Sequence, residues 1–124
     1  RKLGSPLSQL TKSVYETSHE VVYIVSVSKR YERTDQNYWF ALQAKWIDKL
    51  KKQGSHICLA MLDKDYYLQI PGARAIEFTT HLNKTTKTAS TYWHVGLTEQ
   101  SGRLSLNLSK VAKIIDLSEF KVAL

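Results

Sequence analysis

The chain has 124 residues, 43% of them apolar and 23% charged, and a formal net charge of +7 from 18 basic against 11 acidic side chains. That length holds one domain with its own core, and the composition is that of a globular protein rather than a disordered or collagenous one. No apolar run approaches the roughly 20 residues a bilayer requires, so a membrane-spanning helix and a membrane partner are excluded.

The opening Arg1-Lys2-Leu3-Gly4-Ser5-Pro6 lacks a signal-peptide core and an initiator methionine, and is read as the start of a fragment or of a processed chain. Ser5 then caps a helix with Pro6 at its first position. Leu7, Leu10 and Val14 carry that helix over residues 6–17 with helical spacing. Val21 to Val27 is β-branched and aromatic on both parities, as in a central strand. Residues 29–37 form a polar loop with Lys29, Arg30 and Arg33 against Glu32 and Asp35, and Tyr38 to Leu42 is a short strand.

From Ala44 to Gln53 the period becomes helical. Trp46, Ile47 and Leu50 share one face, Lys45, Lys49 and Lys52 the other, and Gly54 is the stop. His56 to Leu62 is a second buried strand around the single cysteine, Cys58, which reads as a small buried apolar side chain and fits a reducing, cytoplasmic setting. Tyr66 to Ile70 returns as its hairpin partner and Pro71-Gly72 ends it. Ala73 to Leu82 is a short helix or, on the Ile76-Glu77-Phe78 alternation, a strand.

The stretch Asn83 to Thr91 has no large apolar residue and reads as a mobile loop bearing Lys84 and Lys87. Tyr92 to Thr98 is a strand, turned by Glu99 to Gly102 into Arg103 to Ser109, where Leu104, Leu106 and Leu108 alternate inward. In the tail, Val111 to Leu117 packs as a turn of helix and Phe120 to Leu124 as an edge strand. The sum is an α+β domain: a mixed, mostly antiparallel sheet of five to seven strands with two or three helices.

Positive charge on a folded domain favours phosphate polymers where it gathers on exposed elements. The loop Lys29, Arg30, Tyr31 and Arg33, the helix face Lys45, Lys49 and Lys52, and the loop Lys84 and Lys87 are the candidate DNA contacts. About six neutralised phosphates give a salt slope near −5 on duplex DNA. The competing reading is a set of solvated faces that never meet. Among the aromatic clusters, Tyr67 and Trp93 are the candidates for a base pocket, against a plain role in the core. The four histidines have no ligand spacing, and the five glycines do not cluster into a phosphate loop. No cofactor, metal or catalytic residue is therefore assigned.

Two resemblances add to this. Gln43-Ala44-Lys45, eight residues after Asp35, resembles the Gln-x-Lys variant of the restriction-endonuclease site in Mrr-like nucleases. That likeness implies a divalent metal held by Asp35 and Gln43, with Lys45 beside it. The family sets Gln-x-Lys within a strand, whereas this chain turns helical there. The motifs S-K-R-Y from Ser28, Y-W-F at Tyr38 to Phe40, I-P at Ile70-Pro71 and Y-W-H at Tyr92 to His94 resemble accessory domains fused to bacterial restriction and other DNA-defence proteins. They imply a target-recognition module that binds DNA beside other domains of the parent chain, which would do the cleavage or ATP hydrolysis. The alternatives are the metal-dependent nuclease and a module that docks an acidic protein.

Overall fold

A computed structural model describes residues 14–16, 22–33 and 36–124. Strands β1 (Val14–Glu16), β2 (Val22–Ser28), β4 (His56–Met61), β5 (Tyr66–Pro71) and β10 (Lys121–Ala123) form one sheet in the order β1-β2-β4-β5-β10. Strands β3 (Tyr38–Gln43), β7 (Thr91–Gln100), β8 (Arg103–Leu108) and β9 (Lys113–Asp116) form a second sheet in that order, and β6 (Lys84–Thr86) adds to β7. Every pairing is antiparallel except β2 with β4. The α+β class and the mostly antiparallel pairing agree with the sequence reading. The strands, however, divide between two five-stranded sheets where one sheet of five to seven was expected.

One core joins the sheets. Val22 and Ile24 of β2, Ile57 and Leu59 of β4 and Leu68 of β5 meet Tyr38, Phe40 and Leu42 of β3, Leu97 of β7 and the three alternating leucines of β8. Helices α1 (Ile47–Leu50) and α2 (Gly72–Thr79) add Leu50, Ala75 and Phe78 to it. Cys58 is buried on the other face of the first sheet with Val25 and Tyr67, where desolvation pushes its thiol up to about 12. Among the described residues no helix is long and apolar enough to cross a membrane.

Several expected elements change. Val14–Glu16 pairs with β2 through Val14↔Ile24, so the helix expected over 6–17 does not extend to its C-terminal end; its start at Ser5-Pro6 lies outside the described residues. The ten-residue lysine-faced helix is instead a 3-10 turn (Ala44–Trp46), the single-turn α1, and further turns ending at Gly54 with φ 82°. Its last bonds, Lys52 N to Lys49 O and Ser55 N to Lys52 O, are of the tighter i to i+3 kind. Residues 83–91 are not a bare loop: Lys84–Thr86 pairs with the start of β7, a place that β-branched Thr85 and Thr86 suit. The tail turn of helix is strand β9, which Ile114↔Asn107 and Ile115↔Leu106 hold in register with β8. The β7–β8 hairpin turns through Ser101 (φ 52°) and Gly102 (φ 77°), the paired positive φ angles that a tight primed turn needs.

Candidate nucleic-acid interface

The inward face of β2 begins with Val22 and Ile24 and ends with Ser26 and Ser28. A groove of about 970 Å³ lies between this Ser26–Ser28 end of β2 and β3. Strand β1 pairs only with Val22–Ile24, so among the described residues it leaves the Ser26–Ser28 stretch of β2 uncovered. Ser28 closes one end of the groove. Its buried hydroxyl donates to Lys29 O at 2.7 Å and accepts from Trp39 N at 3.1 Å, tying the first sheet to the second.

Lys29 and Tyr31 from the loop, Trp39 and Gln43 from β3, Lys45 from the 3-10 turn and Lys49 from α1 line this groove. A second concavity of about 330 Å³ shares Gln43, Lys45 and Ser90 with it and adds Lys87. Four lysines from four separate elements thus line adjoining hollows, and none of the described residues lining either one is acidic. The Lys29 ammonium also sits 5.2 Å from the centre of the Tyr31 ring, a cation–π distance.

The other predicted contacts lie elsewhere. Arg30 turns inward, donating to Glu99 Oε1 at 2.5 Å, Glu32 Oε1 at 3.0 Å and the Tyr38 hydroxyl at 3.0 Å. Lys64 holds the other Glu99 oxygen at 2.5 Å, and the Tyr38 hydroxyl donates to Asp63 at 2.8 Å. This cluster clamps the β4–β5 turn and the 29–37 loop to β7. The hydrogen bond from Lys64 holds Glu99 below the usual carboxylate range, with Arg30 adding to it, and Glu99 in turn raises Arg30. Arg30 is therefore an internal ion-pair partner rather than a groove residue. Arg33 and Lys52 are exposed and line neither hollow.

Lys84 stands opposite Trp93, its ammonium 5.8 Å from that ring, on the core-side face of the second sheet and away from the groove. Tyr67 is 3% exposed on the first sheet, its hydroxyl bonded to Gln69, and Trp93 packs against the main core on the second. The two do not converge, and Tyr67 has no ring face open to a base. Of the nuclease-like set, Gln43 and Lys45 share the groove, Lys45 follows the strand rather than lying in it, and Asp35 lies outside the described residues.

The aromatic runs Tyr38 to Phe40 and Tyr92 to His94 each put a ring outside, as alternation requires, but the cluster they build on the outer face of the second sheet leaves out the chosen Tyr67 and Trp93. Trp39, Tyr92 and His94 lie with ring centres 5.4–6.1 Å apart, and Thr85 Oγ1 is hydrogen-bonded to His94 Nε2 at 2.6 Å. The signal was there in the alternation: Phe40 and Leu42 point in, so Trp39 and Ala41 point out, and Ala41↔His94 and Gln43↔Tyr92 place the partners. The loop above is set by Asn37, 7% exposed, whose Nδ2 donates to Tyr31 O and Arg33 O and whose Oδ1 accepts from Glu99 N. Comparison with protein-family models, curated proteins and solved structures gives no match to this chain.

Proposed function

We propose that this domain is a DNA-binding, target-recognition module that holds a phosphate backbone in the groove between β2 and β3. The observation that carries the reading is the placement of Lys29, Lys45 and Lys49, from three separate elements, around one hollow with no acidic residue in its described lining. Among the described residues, Glu99, Asp48, Glu77 and Asp116 each form an ion pair with a cation that lines neither hollow. The groove therefore gathers positive charge of the kind that phosphates neutralise with release of condensed counterions. Tyr31, Gln43 and Ser90 supply side-chain polar groups in the same walls, of the kind that position a backbone rather than read a sequence.

The test is a titration with DNA at several salt concentrations. Four lysine–phosphate contacts give a slope of log affinity on log salt near −3.6 for duplex DNA. Binding that is absent, or independent of salt, overturns the proposal. Equal affinity for heparin points to an acidic protein partner instead. The nuclease reading keeps one support, the shared position of Gln43 and Lys45 in the groove. Plasmid nicking in Mg²⁺ or Mn²⁺ that Lys45→Ala abolishes would establish it.

A further inference from the structure

The outer face of the second sheet continues directly from the lysine groove, because Trp39 belongs to both. Beyond Trp39 lie Tyr92 and His94, and none of the three ring pairs is stacked face to face: their planes meet at 85°, 68° and 37°. Each of the three rings is partly exposed; Trp39 meets the other two edge-on, and Tyr92 and His94 are tilted against each other without stacking fully. Further along the same face, Asn107 Nδ2 donates to Thr98 Oγ1 at 3.0 Å beside a hollow of about 460 Å³ that Gln100 and Ser105 also line. Cations at an edge, rings next to them and amides after that form an ordered series across one surface.

We infer that the nucleic acid held by this domain is single-stranded, with its phosphates in the Lys29–Lys45–Lys49 groove and its bases stacked on Trp39, Tyr92 and His94. The inference rests on the groove reading above and adds the substrate class. Two arguments support a single strand over a duplex. A protein reads a duplex by inserting a helix or a two-stranded ribbon into the major groove. Here the lysines line a concave hollow, and the helix that carries one of them, α1, spans only Ile47–Leu50. Aromatic rings, moreover, gain nothing from bases whose faces are already covered by their neighbours in a duplex, whereas unpaired bases offer both faces. Stacking tolerates any base, so the preference is for strandedness and not for a sequence.

The experiment compares a fluorescent oligothymidylate with a duplex of equal length, in wild type and in Trp39→Leu, Trp39→Phe, Tyr92→Leu and a Lys45→Ala/Lys49→Ala double variant. Circular dichroism melts verify that each is folded, and Tyr92→Leu carries the test if Trp39→Leu is not. The expected result is tighter binding of the single strand. Each leucine substitution should weaken it on the order of ten- to a hundred-fold, while Trp39→Phe retains most of it. Duplex bound as tightly as oligothymidylate, or single-strand binding that both leucine variants leave intact, overturns the inference. If those results come with binding that the lysine double variant still weakens, the groove reading survives alone. Binding indifferent to the lysines as well removes both.

Discussion

Lys29 and Arg30 are neighbours in the chain and meet opposite fates. Lys29 is exposed at the mouth of a groove whose described lining holds no carboxylate. Arg30 is drawn to the inner side, where Glu99, Glu32 and Asp63 lie within 2.5–3.8 Å of its guanidinium. Extended backbone sends successive side chains to opposite faces, so one residue of offset separates a surface cation from an internal clamp. Two regions of similar basic content therefore differ in purpose. The cluster of Arg30 and Lys64 with Glu99 and Asp63 balances its charge and holds two sheets and a loop together. The Lys29–Lys45–Lys49 groove has no carboxylate in its described lining.

The sharpest way to break the comparison is at Glu99. Its side chain is 14% exposed and serves two cations at 2.5 Å each, so Glu99→Ala takes the carboxylate from Lys64 and leaves Arg30 only Glu32 and the more distant Asp63. Breaking a buried pair costs about 3–5 kcal/mol, and the partial exposure of both cations lowers that to about 2–3 kcal/mol. Urea unfolding should show the loss as an earlier midpoint with an unchanged slope. Asn37→Ala comes next, at about 2 kcal/mol, because it leaves Glu99 N and the Tyr31 carbonyl short of partners at a buried position. The same denaturation series measures it. An effect under half that size would mean the loop is not held from this residue.

Acid gives a third, smaller effect with a defined sign. Glu99 has its folded pKa lowered by Lys64 and Arg30 from an ordinary 4.5. The stability it contributes is therefore complete above about pH 4.5, and is lost as pH falls through the lowered folded value. His56, desolvated and stacked on Tyr23 at 5.5 Å, also has its pKa lowered, from 6.5. The unfolded chain takes up that proton first, so stability begins to fall below about pH 6.5. Thermal melts from pH 7 to pH 3 should show both steps. The acid step should shrink in Glu99→Gln, leaving the part due to Asp116, whose carboxyl Ser118 and Arg103 also hold low, and the milder step should vanish in His56→Phe.

How much of this was legible in the chain follows the range of the interactions. Local alternation placed Leu104, Leu106 and Leu108 inward, and they are buried. It could equally have placed Trp39 outward. The hairpin of β4 and β5 and the strand at Tyr38 were readable for the same reason. Partition into two sheets was not, because nothing local tells β3 to pair with β7, 49 to 59 residues later, rather than with nearby β2. Nor could the helical period of residues 44–53 show that the segment would break into separate short turns. The site divides the same way. Lys29, Lys45, Lys49 and Lys87 were among the cations singled out, and they line adjoining hollows, whereas the capture of Arg30 depends on Glu99, 69 positions away. Gly96 illustrates the limit: a Cβ there would come within 2.5 Å of Gln36 Oε1, a close approach that only the folded loop creates.

The finest test concerns lysines that differ by three positions. Lys87 lines the hollow that adjoins the groove, and Lys84 lies over Trp93 on the opposite face of the sheet. Both are exposed, so alanine at either should shift stability by no more than about 0.5 kcal/mol. Their effects on DNA should part. Losing one phosphate contact lowers the salt slope by about 0.9 on duplex, or about 0.7 on a single strand. Lys87→Ala, like Lys29→Ala and Lys45→Ala, should lower it by that amount, whereas Lys84→Ala leaves it unchanged. Net charge falls equally in all four variants, so a general attraction between a basic protein and DNA predicts equal changes. A slope that drops as far for Lys84→Ala as for Lys87→Ala would reduce the groove to one part of a diffuse positive field.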